Sequence, residues 1–97
     1  MTEAMTELAL FELLSLECCV NSYGTTIYRN SSGQLHRVHG PAIVYSDGGR
    51  DWYQNGQLHR LDGPAVEYQA GYREWYINGK ALTEAEWHQQ VASMETV

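Results

Sequence analysis

The feature that most constrains the fold of this chain is a direct repeat of 23 residues. Residues 35–57 align with residues 58–80 without a gap, and 13 of the 23 positions are identical. The identical positions carry, in order, Leu, His, Arg, Gly, Pro, Ala, Tyr, Gly, Arg, Trp, Tyr, Asn and Gly. A degraded earlier copy runs through Gly24, Tyr28 and Gly33. A repeat of this length is typical of one supersecondary unit that stacks on its neighbours.

Each copy predicts short β-strands joined by tight turns. The stretches 65–68 and 73–77 are rich in aromatic and β-branched residues, as strands are. An Asn-Gly pair follows the Trp-Tyr strand in both copies, at 55–56 and 78–79. Asn-Gly favours a type I′ hairpin turn, because both residues tolerate positive φ. We therefore expect an antiparallel β-meander of roughly five to seven strands over residues 23–80.

Both ends of the chain predict helices. Thr83 and Glu86 have capping-box spacing at the start of a helix over residues 83–94. A second helix is expected over residues 3–18, and its apolar residues wrap most of its circumference. Such a helix needs burial on more than one side, so we expect it to form a homodimer contact or a partner-binding site. The fold class is then α+β: one domain over 1–97, a meander of tandem hairpin repeats between an N-terminal and a C-terminal helix.

The net charge of −6 is concentrated at the two ends. Residues 1–20 carry four glutamates and residues 83–97 carry three, with no Lys or Arg in either segment. Nucleic-acid phosphates and anionic lipids attract the opposite sign, so we expect neither direct nucleic-acid binding nor membrane binding. The acidic ends are interpreted as solvated helix faces or as a patch presented to a basic protein, in imitation of phosphates.

Little in the sequence indicates catalysis, a metal or a cofactor. The adjacent Cys18 and Cys19 fit neither a disulfide framework nor a zinc site, and indicate reduced cysteines at a helix end in a cytosolic protein. The apolar stretch 8–20 has an acidic flank and is too short to span a bilayer, so we expect a cytoplasmic protein without cofactor or metal. His59 and Asp62 form the nearest approach to an acid–base pair. Because the His-Arg pair recurs in each copy, an architectural role in turns is favoured over binding or catalysis.

The motif HRxxGPAxxYxxGxxxWYxNG spans 36–56 and 59–79, and it resembles MORN-like β-hairpin repeats. This variant is similar to short repeat proteins of phages, prophages and other mobile elements. The resemblance implies a hairpin-repeat fold, and a setting in which small acidic proteins block host enzymes such as restriction or CRISPR machinery. His39 departs from the acidic residue that the next copy carries at Asp62.

These observations together predict a non-enzymatic protein-binding module, in its sharper form an inhibitor of a host defence enzyme or nucleoprotein complex. A structural or assembly protein and an antitoxin or immunity protein are the alternatives, and an enzyme using His59 and Asp62 ranks last. Adjacent Trp and Tyr residues alternate sides of a strand, so one ring set is expected in the core and the other on a binding face. The candidate binding residues are Glu3, Glu7, Leu10, Phe11, Leu14, Trp52, Trp75, Glu84 and Glu86.

Overall fold

The computed structural model describes residues 16–95, which form nine short strands followed by one helix. The strands are β1 (Glu17–Val20), β2 (Thr26–Arg29), β3 (Ile43–Val44), β4 (Arg50–Asp51), β5 (Tyr53–Gln54), β6 (Gln57–Leu58), β7 (Val66–Glu67), β8 (Arg73–Ile77) and β9 (Lys80–Leu82). A short 3-10 turn (Gln69–Gly71) separates β7 from β8, and the helix is α1 (Glu84–Glu95).

Seven of these strands form one antiparallel sheet in the order β1-β2-β3-β4-β7-β8-β9, and β5 and β6 pair as a separate ribbon. The expected antiparallel meander is therefore present. The strands number nine because β1 adds one outside the expected range, and because Trp52 separates β4 from β5 whereas β8 runs unbroken through the corresponding stretch of the next copy. Strands β5 and β6, which flank the first Asn-Gly turn, pair with each other and not with the strands of the main sheet.

The two Asn-Gly turns have the predicted backbone conformation. Asn55 and Gly56 have φ of 51° and 82°, and Asn78 and Gly79 have φ of 51° and 80°. Each Asn-Gly pair forms a two-residue loop, because the residues on either side of it are paired across the hairpin: Gln54 with Gln57, and Ile77 with Lys80. Positive φ at both central residues is the geometry of the type I′ turn, whose twist matches that of the strands.

Helix α1 confirms the predicted C-terminal helix and its cap. The Thr83 amide donates to Glu86 Oε1 at 2.9 Å, and the Glu86 amide donates to Thr83 Oγ1 at 3.1 Å. Among residues 84–94 of α1 only Trp87, near the start of the helix, is buried. Trp87 is 6% exposed, whereas Met94 is 47% exposed. The helix therefore contacts the sheet through its first turns, against β8 and β9.

The predicted N-terminal helix is wrong at its C-terminal end. Glu17 and Cys18 lie in strand β1, where Glu17 pairs with Arg29 and Cys18 with Tyr28. Both cysteines are free and exposed on this strand rather than at a helix end. Main-chain pairing with β2 overrides the local helical pattern here. The rest of the predicted helix, residues 3–15, lies outside the described residues, and the homodimer contact expected from it stays a prediction.

The register separates two faces of the sheet. The tryptophan face carries a row of alternating aromatic and small residues across five strands or strand ends: Tyr28, Ala42, Trp52, Ala65 and Trp75. The opposite, tyrosine face carries Ile43, Tyr45, Asp51, Val66 and Tyr68. The two alanines are completely buried, as befits small residues enclosed between large rings. The tryptophans and the tyrosines of the two Trp-Tyr pairs lie on opposite sides of the sheet, as expected. All four rings are half-buried, so neither set forms the fully buried core that was expected.

Candidate protein-binding surface

On the tryptophan face, arginine side chains lie over aromatic rings in two successive steps. The guanidinium carbon of Arg37 lies 4.1 Å from the centroid of the Tyr28 ring, and that of Arg60 lies 3.7 Å from the Trp52 ring. In each step the aromatic residue precedes a hairpin turn, and the arginine lies in the loop after that turn. We call this arrangement the arginine–aromatic ladder. A guanidinium over an aromatic face is attracted by the ring quadrupole, and most strongly by that of Trp.

A glycine in the same loop makes room for each guanidinium. A Cβ atom on Gly63 would lie 2.9 Å from Cζ of Arg60, and one on Gly40 would lie 3.1 Å from Cζ of Arg37. A Cβ at either position would force the guanidinium to shift from its place over the ring, more at Gly63 than at Gly40. The glycine that both copies share before proline therefore leaves space for the ladder arginine.

The two steps differ in their ionic partners. Arg60 Nε lies 2.7 Å from Asp62 Oδ1, and Arg60 Nη1 lies 3.1 Å from Glu67 Oε2. Arg60 and Glu67 are largely buried, with 18% and 24% of their side chains exposed, whereas Asp62 is 84% exposed. The first copy carries His39 and a valine at those two positions, so Arg37 has no equivalent of either carboxylate. Among residues 16–95 its guanidinium donates to the Pro41 carbonyl at 3.4 Å and forms no ion pair.

The ladder stops at its third aromatic ring, that of Trp75. Trp75 lies opposite Leu82 in the register, so the next residue, Thr83, occupies the place that an arginine has in the earlier steps. The chain enters α1 at that point, and among residues 16–95 no guanidinium lies over the Trp75 ring. Trp75 is half-buried and lines an open cleft.

The repeated histidines join each hairpin to the next one. Nδ1 of His36 accepts the backbone amide of Asn55 at 3.0 Å, and Nδ1 of His59 accepts that of Asn78 at 2.9 Å. Both acceptors are therefore unprotonated at Nδ1. Burial lowers the pKa of His59, which favours the neutral form that this hydrogen bond needs. His59 and Asp62 thus contact different groups, the Asn78 amide and the Arg60 guanidinium. The architectural role expected for them stays a prediction.

Two neighbouring clefts open on the tryptophan face. The first, the loop cleft, has a volume of about 630 Å³ and lies between the loops 38–41 and 59–62 with Trp52 among its lining residues. Val38 and Leu61 occupy the same position in the two copies, line this cleft, and are 44% and 43% exposed. Apolar side chains left exposed beside a Trp-lined cleft are typical of a binding surface.

The second, the helix cleft, has a volume of about 660 Å³ and lies between the loop of the second copy and α1. Its lining includes Trp75, Asp62, Glu84, Arg73 and the start of α1. Glu84 Oε2 is 3.5 Å from His88 Nε2, and Trp87 Nε1 donates to the Arg60 carbonyl at 2.9 Å. This last hydrogen bond fixes the helix to the ladder and shapes the cleft.

The tyrosine face contains a polar cluster that the sequence analysis missed. Asp51 is 4% exposed, and its Oδ2 accepts the hydroxyls of Tyr45 at 2.7 Å and of Tyr68 at 3.3 Å. Its Oδ1 is buried and has no hydrogen-bond partner within the described part of the chain. Burial, and then Asp51, raise the pKa of Tyr45, which stays protonated as a donor. The sequence signal for this cluster was the tyrosine that both copies share, Tyr45 and Tyr68. That Asp51 accepts both hydroxyls depends on the strand register, which the sequence does not show.

The structure brings three of the nine candidate binding residues to the tryptophan face: Trp52 and Trp75 line separate clefts, and Glu84 lines the second. Glu86 is exposed, but its carboxylate accepts the Thr83 amide and so serves the helix cap. Glu3, Glu7, Leu10, Phe11 and Leu14 lie outside the described residues. The arginines of the ladder and the apolar rim of the loop cleft were not predicted from the sequence as binding residues.

No protein-family model, curated protein or solved structure matches this chain. The resemblance to MORN-like repeats stays a prediction. In the stretch 16–95, no helix has both the length and the apolar character needed to cross a membrane. The same stretch contains no cluster of three or more His, Cys, Asp or Glu side chains arranged to hold a metal ion.

Proposed function

We propose that the chain is a non-enzymatic protein-binding module and that its tryptophan face is the binding surface. The observation that carries this proposal is the pair of adjacent open clefts, each lined by a half-buried tryptophan. Tryptophan and arginine are the side chains that most often dominate binding energy at protein interfaces, particularly where surrounding residues exclude water. Here the ladder supplies both, and sheet pairing holds them in place before any partner arrives.

The exposed apolar residues on this face support the same proposal. Val38 and Leu61 lie at the rim of the loop cleft and remain 44% and 43% exposed. A partner that covers the cleft would bury both side chains. Burial of apolar area then contributes affinity at roughly 25 cal/mol per Å². Hydrogen bonds to the polar groups around the clefts fix the orientation of the partner.

The biological role that we propose is inhibition of a host defence enzyme or nucleoprotein complex in the cytoplasm, encoded by a phage or another mobile element. Support comes from the resemblance of the repeats and from the net charge of −6, which suits a basic partner surface. An assembly protein would instead form a defined large oligomer, and an antitoxin would be encoded beside its toxin.

The test compares two variants that each replace one exposed apolar or aromatic side chain. Leu61→Ser removes the rim of the loop cleft, whereas Tyr72→Ser changes a residue that is 51% exposed outside both clefts. Wild type and both variants are immobilised, exposed to lysate of the host cells, and washed at low and high salt. Bound proteins are identified by mass spectrometry, and the affinity of each is then measured with the purified protein.

We expect one protein that binds wild type and Tyr72→Ser about equally, and Leu61→Ser at least about ten-fold more weakly, as for loss of an interface anchor. Its affinity should fall with added salt. If both variants weaken binding equally, or if only Tyr72→Ser weakens it, the assignment of the tryptophan face is contradicted. A large homo-oligomer in light scattering would favour the assembly alternative.

A further inference from the structure

The third step of the ladder provides an aromatic ring without the cation that covers its counterparts. We propose that Trp75 and the carboxylates beside it form a binding site for an arginine side chain of the partner protein. This inference rests on the proposed protein-binding function and specifies the chemistry that the helix cleft recognises.

The chain itself twice shows how this type of ring is covered. Tyr28 and Trp52 occupy the same row of the sheet as Trp75, and both carry a guanidinium about 4 Å above the ring. At Trp75 the corresponding position is Thr83, whose hydroxyl accepts an amide of α1 and cannot cover a ring with positive charge. A guanidinium from another molecule would complete the pattern.

No other part of the chain can supply that cation from a lysine or arginine side chain. The sequence has six such residues, and all six lie within the described range. The nearest in the cleft is Arg73, which is exposed and whose Nη1 lies 3.5 Å from the carbonyl of Gly71 rather than over the Trp75 ring. A guanidinium over the Trp75 ring would therefore come from another molecule.

The charges around the helix cleft favour a cation over an anion. Asp62 and Glu84 bring two carboxylates to its lining, against one guanidinium from Arg73. Both carboxylates are well exposed, at 84% and 60%, and so keep free acceptor positions although each also contacts a basic side chain. Arginine fits better than lysine because its planar guanidinium stacks on a ring while donating in its own plane to carboxylates.

The probe is arginine blocked at both ends, Nα-acetyl-arginine N-methylamide. Its matched control is the citrulline analogue, which has nearly the same shape and no charge. The chain contains three tryptophans, so the three indole N–H signals in a ¹H–¹⁵N spectrum report on Trp52, Trp75 and Trp87 separately. Trp75→Phe assigns the signal of interest, and the full chain is titrated with each probe.

We expect the arginine probe to shift the Trp75 signal with millimolar affinity, to leave the other two indoles nearly unchanged, and to outcompete the citrulline analogue clearly. Glu84→Gln should weaken binding about three-fold, as for loss of one exposed ion pair. Equal response to citrulline, a response at Trp52 instead, or no response would overturn the proposal.

Two further outcomes separate this inference from its neighbours. A Trp75 signal that moves with protein concentration alone would show that a second copy occupies the cleft, which also overturns the proposal. If the arginine probe fails while a partner still requires Leu61, the protein-binding function stands and only the arginine site is rejected. If the probe binds but no partner depends on the tryptophan face, the proposed function fails and the arginine site remains.

Discussion

Replacing the two ladder arginines by methionine should destabilise the chain to very different extents. Arg60→Met and Arg37→Met both keep an unbranched apolar stem over the ring, and both remove a guanidinium that lies about 4 Å from an aromatic centroid. Only Arg60 is also paired with the largely buried carboxylate of Glu67. The difference between the two variants therefore reports mainly on that ion pair, and a double-mutant cycle with Glu67 isolates it.

The magnitudes follow from burial. Loss of the cation–π contact costs about 1 kcal/mol in either variant. With side chains 18% and 24% exposed, the Arg60–Glu67 pair lies between an exposed pair and a buried one, so its loss costs about 2 kcal/mol. The contact with Asp62 adds little, because that carboxylate is 84% exposed. We expect losses of about 3 kcal/mol for Arg60→Met and about 1 kcal/mol for Arg37→Met.

Urea unfolding followed by tryptophan fluorescence and circular dichroism gives both free energies. The expected difference corresponds to about 10 °C in Tm for a domain of this size. Glu67→Gln in each background completes a double-mutant cycle, which should show coupling with Arg60 and none with Arg37. Equal losses for the two arginine variants, or no coupling between Arg60 and Glu67, would refute the reasoning.

Three further outcomes are expected. Thr83→Ala should lower the free energy of unfolding by about 1 kcal/mol, because the cap bond to the Glu86 amide is lost, and urea unfolding would detect it. Stability should be highest above about pH 6.5 and fall as the pH drops toward the lower folded-state pKa of His59. The unfolded imidazole protonates first, while the folded one must keep Nδ1 free for the Asn78 amide; His59→Gln should reduce this slope, and an unchanged slope would exclude the mechanism. Gly79→Ala should cost about 1 kcal/mol, since its φ of 80° disfavours any Cβ, and an unaltered thermal midpoint would contradict the turn assignment.

Local chemistry made several elements predictable. The Asn-Gly pairs specify their turns because only residues tolerant of positive φ fit there, and the observed φ values agree. The cap of α1 was predictable because its two partners, Thr83 and Glu86, are three residues apart. The failure at Glu17 and Cys18 has the opposite cause. Their pairing partners lie about ten residues away in β2, and no local pattern reveals that register.

The candidate surface depended more heavily on tertiary structure. Trp52 and Trp75 were predicted from the sequence to share one side of the sheet, and the register places them there. Their role as binding anchors stays a prediction. That, within residues 16–95, a guanidinium covers the Trp52 ring but not the Trp75 ring was not predicted, because this depends on which residue of the following loop lies over each ring. Asp51 likewise reads as an ordinary strand carboxylate until the register brings the hydroxyls of Tyr45 and Tyr68 onto it.

The sequence by itself determined the repeat, its hairpin turns and the capped C-terminal helix, because each depends on residues close together in the chain. Only the tertiary structure decided that Arg60 pairs with Glu67, that Arg37 has no carboxylate partner among residues 16–95, and that no guanidinium of this stretch lies over the Trp75 ring. Those outcomes depend on contacts between neighbouring copies, and strand register sets such contacts. In the sequence, Thr83 stands at the repeat position where the two earlier copies have Arg37 and Arg60. The consequence appears only in the structure, where the sheet places this position beside the open helix cleft.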